Sequence, residues 1–119
     1  MIFVLADDRM LAVLESEKES QGAFEGIDVE DNLIRFFDET GTPLVPEFIE
    51  PNKRGKYLWL IPWVESGIYR LLPAEPGTLP QLLDIWDSIF GLDYNAHFSS
   101  LAEVRQYLER KRFIKSAQH

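Results

Sequence analysis

The run from Lys56 to Pro73, KYLWLIPWVESGIYRLLP, is the most apolar and most aromatic stretch of the chain. It sets Tyr57, Trp59, Trp63 and Tyr69 among Leu and Ile, punctuated by Pro62 and by Glu65-Ser66-Gly67. Proline cannot donate to a ladder, so Pro62 must sit at a strand end or a bulge. A polar link ending in Gly between two short apolar runs predicts a hairpin. The stretch therefore reads as two buried strands, Tyr57 to Trp63 and Ile68 to Leu72, forming the inner hairpin of a sheet. The remaining segments must extend that sheet or cover it.

The preceding segments read mostly as strands. Ile2 to Ala6 is apolar throughout and does not alternate, as a central strand would. Met10 to Leu14 follows a tight Asp8-Arg9 turn. Ile27 to Val29 and Leu33 to Phe37 flank Glu30-Asp31-Asn32, a hairpin turn with Asn32 suited to a positive φ. Asp38 and Gly41 in the run from Phe37 to Thr42 fit a type I turn with Gly in the left-handed region. Pro43 and Pro46 confine Leu44-Val45 to an edge strand or extended loop. Pro51 to Gly55 reads as a basic loop.

Helices are predicted at both ends. Ser16-Glu17-Lys18-Glu19 and Ser100-Leu101-Ala102-Glu103 each match the capping box, in which Ser and Glu satisfy backbone N–H groups reciprocally. The first opens a short helix that stops near Gly26. Thr78 is the expected N-cap of a middle helix, with Pro80 in its first turn. Leu82, Leu83, Trp86, Ile89 and Phe90 form that helix's apolar stripe, and Gly91 ends it. Leu101, Val104, Tyr107 and Leu108 line the last helix, whose end carries Arg110-Lys111-Arg112 and Lys115, cations that complement the helix dipole. The expected fold is α+β over residues 1–119 as a single domain. It has an antiparallel sheet of about five or six strands, two C-terminal helices packed on one face and a short N-terminal helix.

A chain of 119 residues buries roughly two-thirds of its extended surface, enough for a core without staples. The absence of Cys excludes a disulfide framework and thiolate chemistry. Ile2 to Ala6 has no basic flank and meets Asp7-Asp8, unlike a signal peptide. No apolar run approaches the ~18–20 residues of a membrane span. The expectation is a cytoplasmic protein.

The net charge of −8 is unevenly spread. Residues 1–50 hold 13 Asp/Glu against three Lys/Arg, a net of −10, and residues 51–119 are +2. A half of that sign repels nucleic acid and anionic membrane and attracts a basic partner. A solvated, solubilising surface would look the same.

Chemistry finds little support. Asp93, Tyr94, His97, Ser99 and Ser100 are the raw material of nucleophilic catalysis, yet they share one loop rather than converging from fixed elements. No strained nucleophile turn is present and Ser100 already serves as a cap, so no catalytic residue is assigned. One loop His cannot build a zinc site. Asp28, Glu30 and Asp31 do not continue into a calcium loop, and there is no glycine-rich phosphate loop. No metal and no cofactor is expected. A pI near 4.7 disfavours nucleic acid, despite the basic groups of the last helix.

What remains is recognition of another protein. The expected contacts are Glu30, Asp31, Asp38 and Glu39 on the acidic half, and Trp63, an aromatic beside a polar turn. The sequence thus reads as a non-enzymatic protein-binding domain. Its most concrete form is an acidic inhibitor or immunity-type protein for a basic toxin or nuclease, to which it is similar in size, charge and lack of catalytic motifs. The alternatives are a small enzyme or ligand-binding domain with a pocket near His97 and Tyr94, and an accessory subunit that homo-oligomerises through an edge strand near Pro43 to Phe48.

Overall fold

The computed structural model describes residues 1–23, 34–50, 53–56, 62–65 and 68–117, with backbone alone for residues 21–23, 50, 53–56, 62–65, 68 and 115–117. In chain order the elements are β1 (Ile2–Ala6), β2 (Met10–Leu14), α1 (Glu17–Ala23), β3 (Ile34–Phe37), β4 (Pro43–Glu50), β5 (Lys53–Lys56) and β6 (Pro62–Glu65). They continue with β7 (Ile68–Pro73), a 3-10 helix (Leu82–Ser88), β8 (Gly91–Leu92) and α2 (Leu101–Ala117). Six strands form one sheet in the order β7-β4-β3-β1-β2-β8, and β5 and β6 pair separately. All neighbours in the six-stranded sheet are antiparallel except β2 and β8. The fold is α+β, as expected, with one parallel pair that sequence reading did not foresee.

β1 lies between β2 and β3, so both its edges are paired, and Ile2 to Leu5 are all buried. Successive side chains of a strand point to opposite faces. Phe3 and Leu5 accordingly join Leu11, Val13 and Phe37 on one face, while Ile2 and Val4 join Leu14, Phe36 and Tyr69 on the other. The first face is covered by the helical layer, whose Leu82, Val104 and Leu108 are wholly buried. The second face curls. Tyr69 on strand β7, first in the sheet order, shares a cluster with Leu14 on β2, fifth in that order. A flat sheet would place these strands about 19 Å apart.

α1 helps close this second face. Ser16 Oγ accepts from Glu19 N–H at 3.2 Å, as the capping box requires. Glu19, however, reaches past Ser16 to the N–H of Glu15, at 2.9 Å. Ser20, fully buried, lies 3.2 Å from the Tyr69 hydroxyl, which also donates to the Ser20 carbonyl. The Glu17 carboxylate accepts from the N–H of Leu71 on the outer strand β7, satisfying a donor that an edge strand leaves open.

The β3–β4 turn forms as its sequence predicts. Gly41 has φ +81° and donates to the Asp38 carbonyl at 3.0 Å. A Cβ at Gly41 would lie 3.3 Å from Leu108, so the glycine also permits close approach of α2. The Leu82 N–H donates to the Gly41 carbonyl at 2.9 Å, tying the turn to the 3-10 helix.

Four expectations are overturned. First, β4 is not an edge strand: it lies between β7 and β3. Ala74 N–H donates to Pro43 C=O, so by antiparallel alternation Pro43, Val45 and Glu47 bond toward β7, and Leu44 and Pro46 face β3. β3 pairs only with Pro43 and Leu44, so the missing N–H of Pro46 falls where that ladder has ended. Second, Lys53–Lys56 is a strand rather than a loop. It pairs with Pro62–Glu65, and β7 pairs with β4, so the expected inner hairpin does not form. Pro62 does open its strand, as a proline should. Residues 57–61 lie outside the described residues, as do residues 24–33 with the predicted Glu30-Asp31-Asn32 turn.

Third, Thr78 is not an N-cap. Its N–H and hydroxyl both bond the Glu75 carbonyl, at 3.1 and 2.6 Å, closing a turn in which Gly77 has φ +81°. The helix begins after Gln81, whose N–H donates to Asp84, and is 3-10 in form with a non-helical break at Ile85. Fourth, the helix ends at Ser88 and Ile89 is extended, so Phe90 falls outside the predicted stripe. Leu83, Trp86 and Ile89 pack on the core, but Phe90 is 77% exposed. Gly91 then starts a strand instead of merely stopping a helix.

Candidate functional site

β8 is the last strand in the sheet order, and its outer side pairs with no described strand. Phe90 and Tyr94 flank it, 77% and 102% exposed. Backbone bonds hold the segment against β2: Phe90 N–H donates to Arg9 C=O at 2.8 Å and Asp93 N–H to Leu11 C=O at 2.9 Å. Phe90 is thereby set beside the β1–β2 turn. Arg9 occupies that turn at φ 65°, and Asp8 Oδ1 accepts from Met10 N–H at 2.9 Å. Asp7, Asp8, Glu15, Glu19 and Asp93 are all exposed along this edge.

The loop after β8 is shaped by its own side chains. Asn95 Oδ1 accepts from the N–H groups of His97 and Phe98, both at 2.8 Å, and Asn95 Nδ2 donates to Asp93 C=O at 3.0 Å. His97 Nε2 lies 2.9 Å from Glu15 Oε1, joining the loop to the end of β2 across an exposed pair. Phe98 packs inward on Phe3 and edge-on to Tyr107. The loop separates two shallow depressions. One, of about 560 Å³, is lined by residues including Tyr94, His97, Ser99 and Glu103. The other, of about 320 Å³, lies between β2 and the loop, with Glu15, Glu19 and Asp93 on its walls.

The second capping box repeats the geometry of the first. Glu103 N–H donates to Ser100 Oγ at 3.3 Å, while the Glu103 carboxylate passes Ser100 and accepts from the N–H and hydroxyl of Ser99, both at 2.8 Å. The Ser99 N–H, then its hydroxyl, hold the Glu103 carboxyl below the usual glutamate range. Ser99, Ser100 and His97 are thus committed to separate partners, and among the described residues no hydroxyl bonds the His97 ring as a nucleophile would. Among the described residues no three His, Asp or Glu side chains gather as metal ligands, and no helix is long and apolar enough to cross a membrane.

The sequence-predicted contacts fare unevenly. Glu30 and Asp31 lie outside the described residues, and Trp63 is described only as backbone in β6. Asp38 is half-buried and used by its turn: Oδ1 accepts from Thr40 N–H, Thr40 Oγ1 and Thr42 N–H at 2.8, 2.7 and 3.0 Å. Glu39 is exposed on that turn. The edge aromatics were missed. Phe90 reads as the last member of a helical stripe, but the helix stops at Ser88, two residues before it. Tyr94 entered the sequence reading only beside His97, in the polar-aromatic loop Asp93 to Ser99, and not as an anchor of a sheet edge.

A second exposed surface lies at the far end of α2. Its inward side chains run from Leu101 to Leu108, yet Phe113 and Ile114 are 75% and 52% exposed. Arg105 pairs with Glu109 at 3.2 Å, and Lys111 stands 5.5 Å above the Tyr107 ring. Arg110 and Arg112 pair with no carboxylate among the described residues. Phe113 borders depressions of about 670 Å³ and 430 Å³ on either side of this helix end.

The chain matches no protein-family model, no curated protein and no solved structure.

Proposed function

We propose that this protein is a non-enzymatic protein-binding domain that engages a cationic partner through the β8 edge. The observation that carries this reading is the pair Phe90 and Tyr94, largely presented to solvent on a sheet edge that no described strand covers, among Asp7, Asp8, Glu15, Glu19 and Asp93. Aromatics with few rotatable bonds are common energetic anchors of interfaces. A mostly acidic rim, with Arg9 as its cation, raises the association rate and selects partners of opposite charge. The commitment of the Ser99 hydroxyl and of His97 to local carboxylates, and of the Ser100 hydroxyl to the Glu103 N–H, favours binding over catalysis. An inhibitor or immunity-type protein for a basic toxin or nuclease is the most concrete form of this reading.

The test is affinity capture from the source cell, followed by kinetics with the captured protein. Tyr94→Ala is expected to cost about 2 kcal/mol or more of binding. Asp7→Lys with Asp93→Lys should slow association by tenfold or more at low salt, with an unchanged melting curve. Capture of a cationic protein whose affinity ignores both changes would sink the reading of this edge.

A further inference from the structure

We infer that the C-terminal end of α2 is a second docking surface whose occupant is the acidic β8 edge of another copy of this chain, so that molecules associate head to tail. This rests on the reading of that edge as a docking surface. The starting observation is apolar. Past Leu108 no described side chain of α2 is buried, and Phe113 and Ile114 are mostly uncovered. Dipole complementarity accounts for cations at a helix end. It does not account for a phenylalanine and an isoleucine beside them.

The charges decide what covers them. Arg110 and Arg112, exposed and without carboxylate partners among the described residues, call for an acidic surface that also offers apolar contact. The β8 edge has that composition: Asp7, Glu15 and Asp93 around Phe90 and Tyr94. The two surfaces cannot meet within one molecule. α2 begins just after the loop that carries the edge and runs away from it as a rigid rod, about 18 Å from Leu101 to Phe113. A flat anionic membrane or a nucleic acid would meet the whole molecule, net −8, including its acidic edge, whereas a protein surface meets the helix end alone. Two α2 ends face to face would oppose Arg110, Lys111 and Arg112 to their own copies. Edge-to-helix contact is heterologous, so each added molecule leaves one free edge and one free helix end until a ring closes. The like net charge of the copies keeps each contact weak.

Sedimentation velocity tests this. For the unmodified chain the weight-average mass should rise steadily between about 10 µM and 1 mM at about 50 mM salt, and association should weaken tenfold or more at about 500 mM. Arg110→Glu with Arg112→Glu should abolish it, as should Asp7→Lys with Asp93→Lys, each with circular dichroism and melting unchanged. Mixing the two doubly substituted proteins should restore one contact per pair, because the unaltered edge of one meets the unaltered helix end of the other. A chain that stays monomeric throughout overturns the inference, as does association that the edge substitutions leave intact or a mixture that stays dissociated. If the edge substitutions abolish binding of a captured cationic protein while the unmodified chain never self-associates, the inference falls and the proposed function stands.

Discussion

The two faces of the six-stranded sheet are closed by different means. Toward the helical layer every buried member is apolar: Phe3, Leu5, Leu11, Val13 and Phe37 meet Leu82, Val104 and Leu108. On the curled face, Ile2, Val4, Leu14 and Phe36 surround Tyr69, whose hydroxyl is matched to buried Ser20. Among the described residues no buried polar side chain lies on the first face. The second depends on a buried polar group that must keep its partner and its proton. Both exposed aromatic surfaces grow from elements that cover the first face, the β8 loop and α2. That face therefore bears stability and presentation together, and the curled face bears stability alone.

The largest expected effect comes from cutting the helical face. Phe3 is fully buried and its ring stands 6.1 Å from Phe98 and 6.4 Å from Tyr107. Phe3→Ala should cost about 3–5 kcal/mol, read as the urea midpoint. It should also loosen the β8 loop, since Phe98 anchors that loop from within. If the loss is under about 1 kcal/mol, this face is not the main core.

The curled face should answer differently. Tyr69→Phe keeps the ring contacts with Phe36 and Phe48, both 5.9 Å between centroids, and removes only the hydroxyl. The expected loss at neutral pH is about 1 kcal/mol. Burial foremost, with the Glu17 charge adding to it against the Ser20 bond, pushes the Tyr69 pKa above its ordinary 10.0. The folded state thus holds the proton more tightly than the unfolded one. That contribution is complete below pH 10 and is lost as pH rises through the raised value. Melting temperature followed above pH 9 should fall more steeply for the natural chain than for Tyr69→Phe. Parallel curves would mean that the curled face does not depend on this proton.

Legibility in the sequence follows the same division. Local rules reached what local chemistry determines. The apolar run Ile2–Ala6 is a central strand, Asp38 and Gly41 make their turn, and both serines cap their helices. What failed depended on pairing across distance. Nothing in Pro43 or Pro46 says that β3 ends where Pro46 would need it, so the edge assignment followed from proline alone. Two apolar runs joined by Glu-Ser-Gly read as a hairpin, but β7 pairs with β4 instead. The candidate edge was hidden for the same reason. A two-residue parallel strand leaves no period to read, and Phe90 leaves its stripe because the helix ends at Ser88. Of the predicted contacts, Asp38 had its structural duty written in its turn motif.

The smallest expected effect lies where the two helices begin. Glu19 and Glu103 share a geometry, each reaching beyond its serine to the residue before, but they start lids on different faces. Glu103 also takes the Ser99 hydroxyl, and its carboxyl is held below the ordinary value of 4.5. A depressed carboxyl favours the folded state when ionised. Its contribution is present above pH 4.5 and is lost as pH falls through the lowered value. Glu103→Gln keeps the shape without the charge, so its melting temperature should lie slightly below that of the natural chain at pH 6 and converge with it in acid. Glu103 is fully solvated, and added salt should shrink the gap further. A gap that persists unchanged to pH 3 would assign the effect to hydrogen-bond geometry rather than charge, leaving the start of α2 held, like the face it covers, by uncharged contacts.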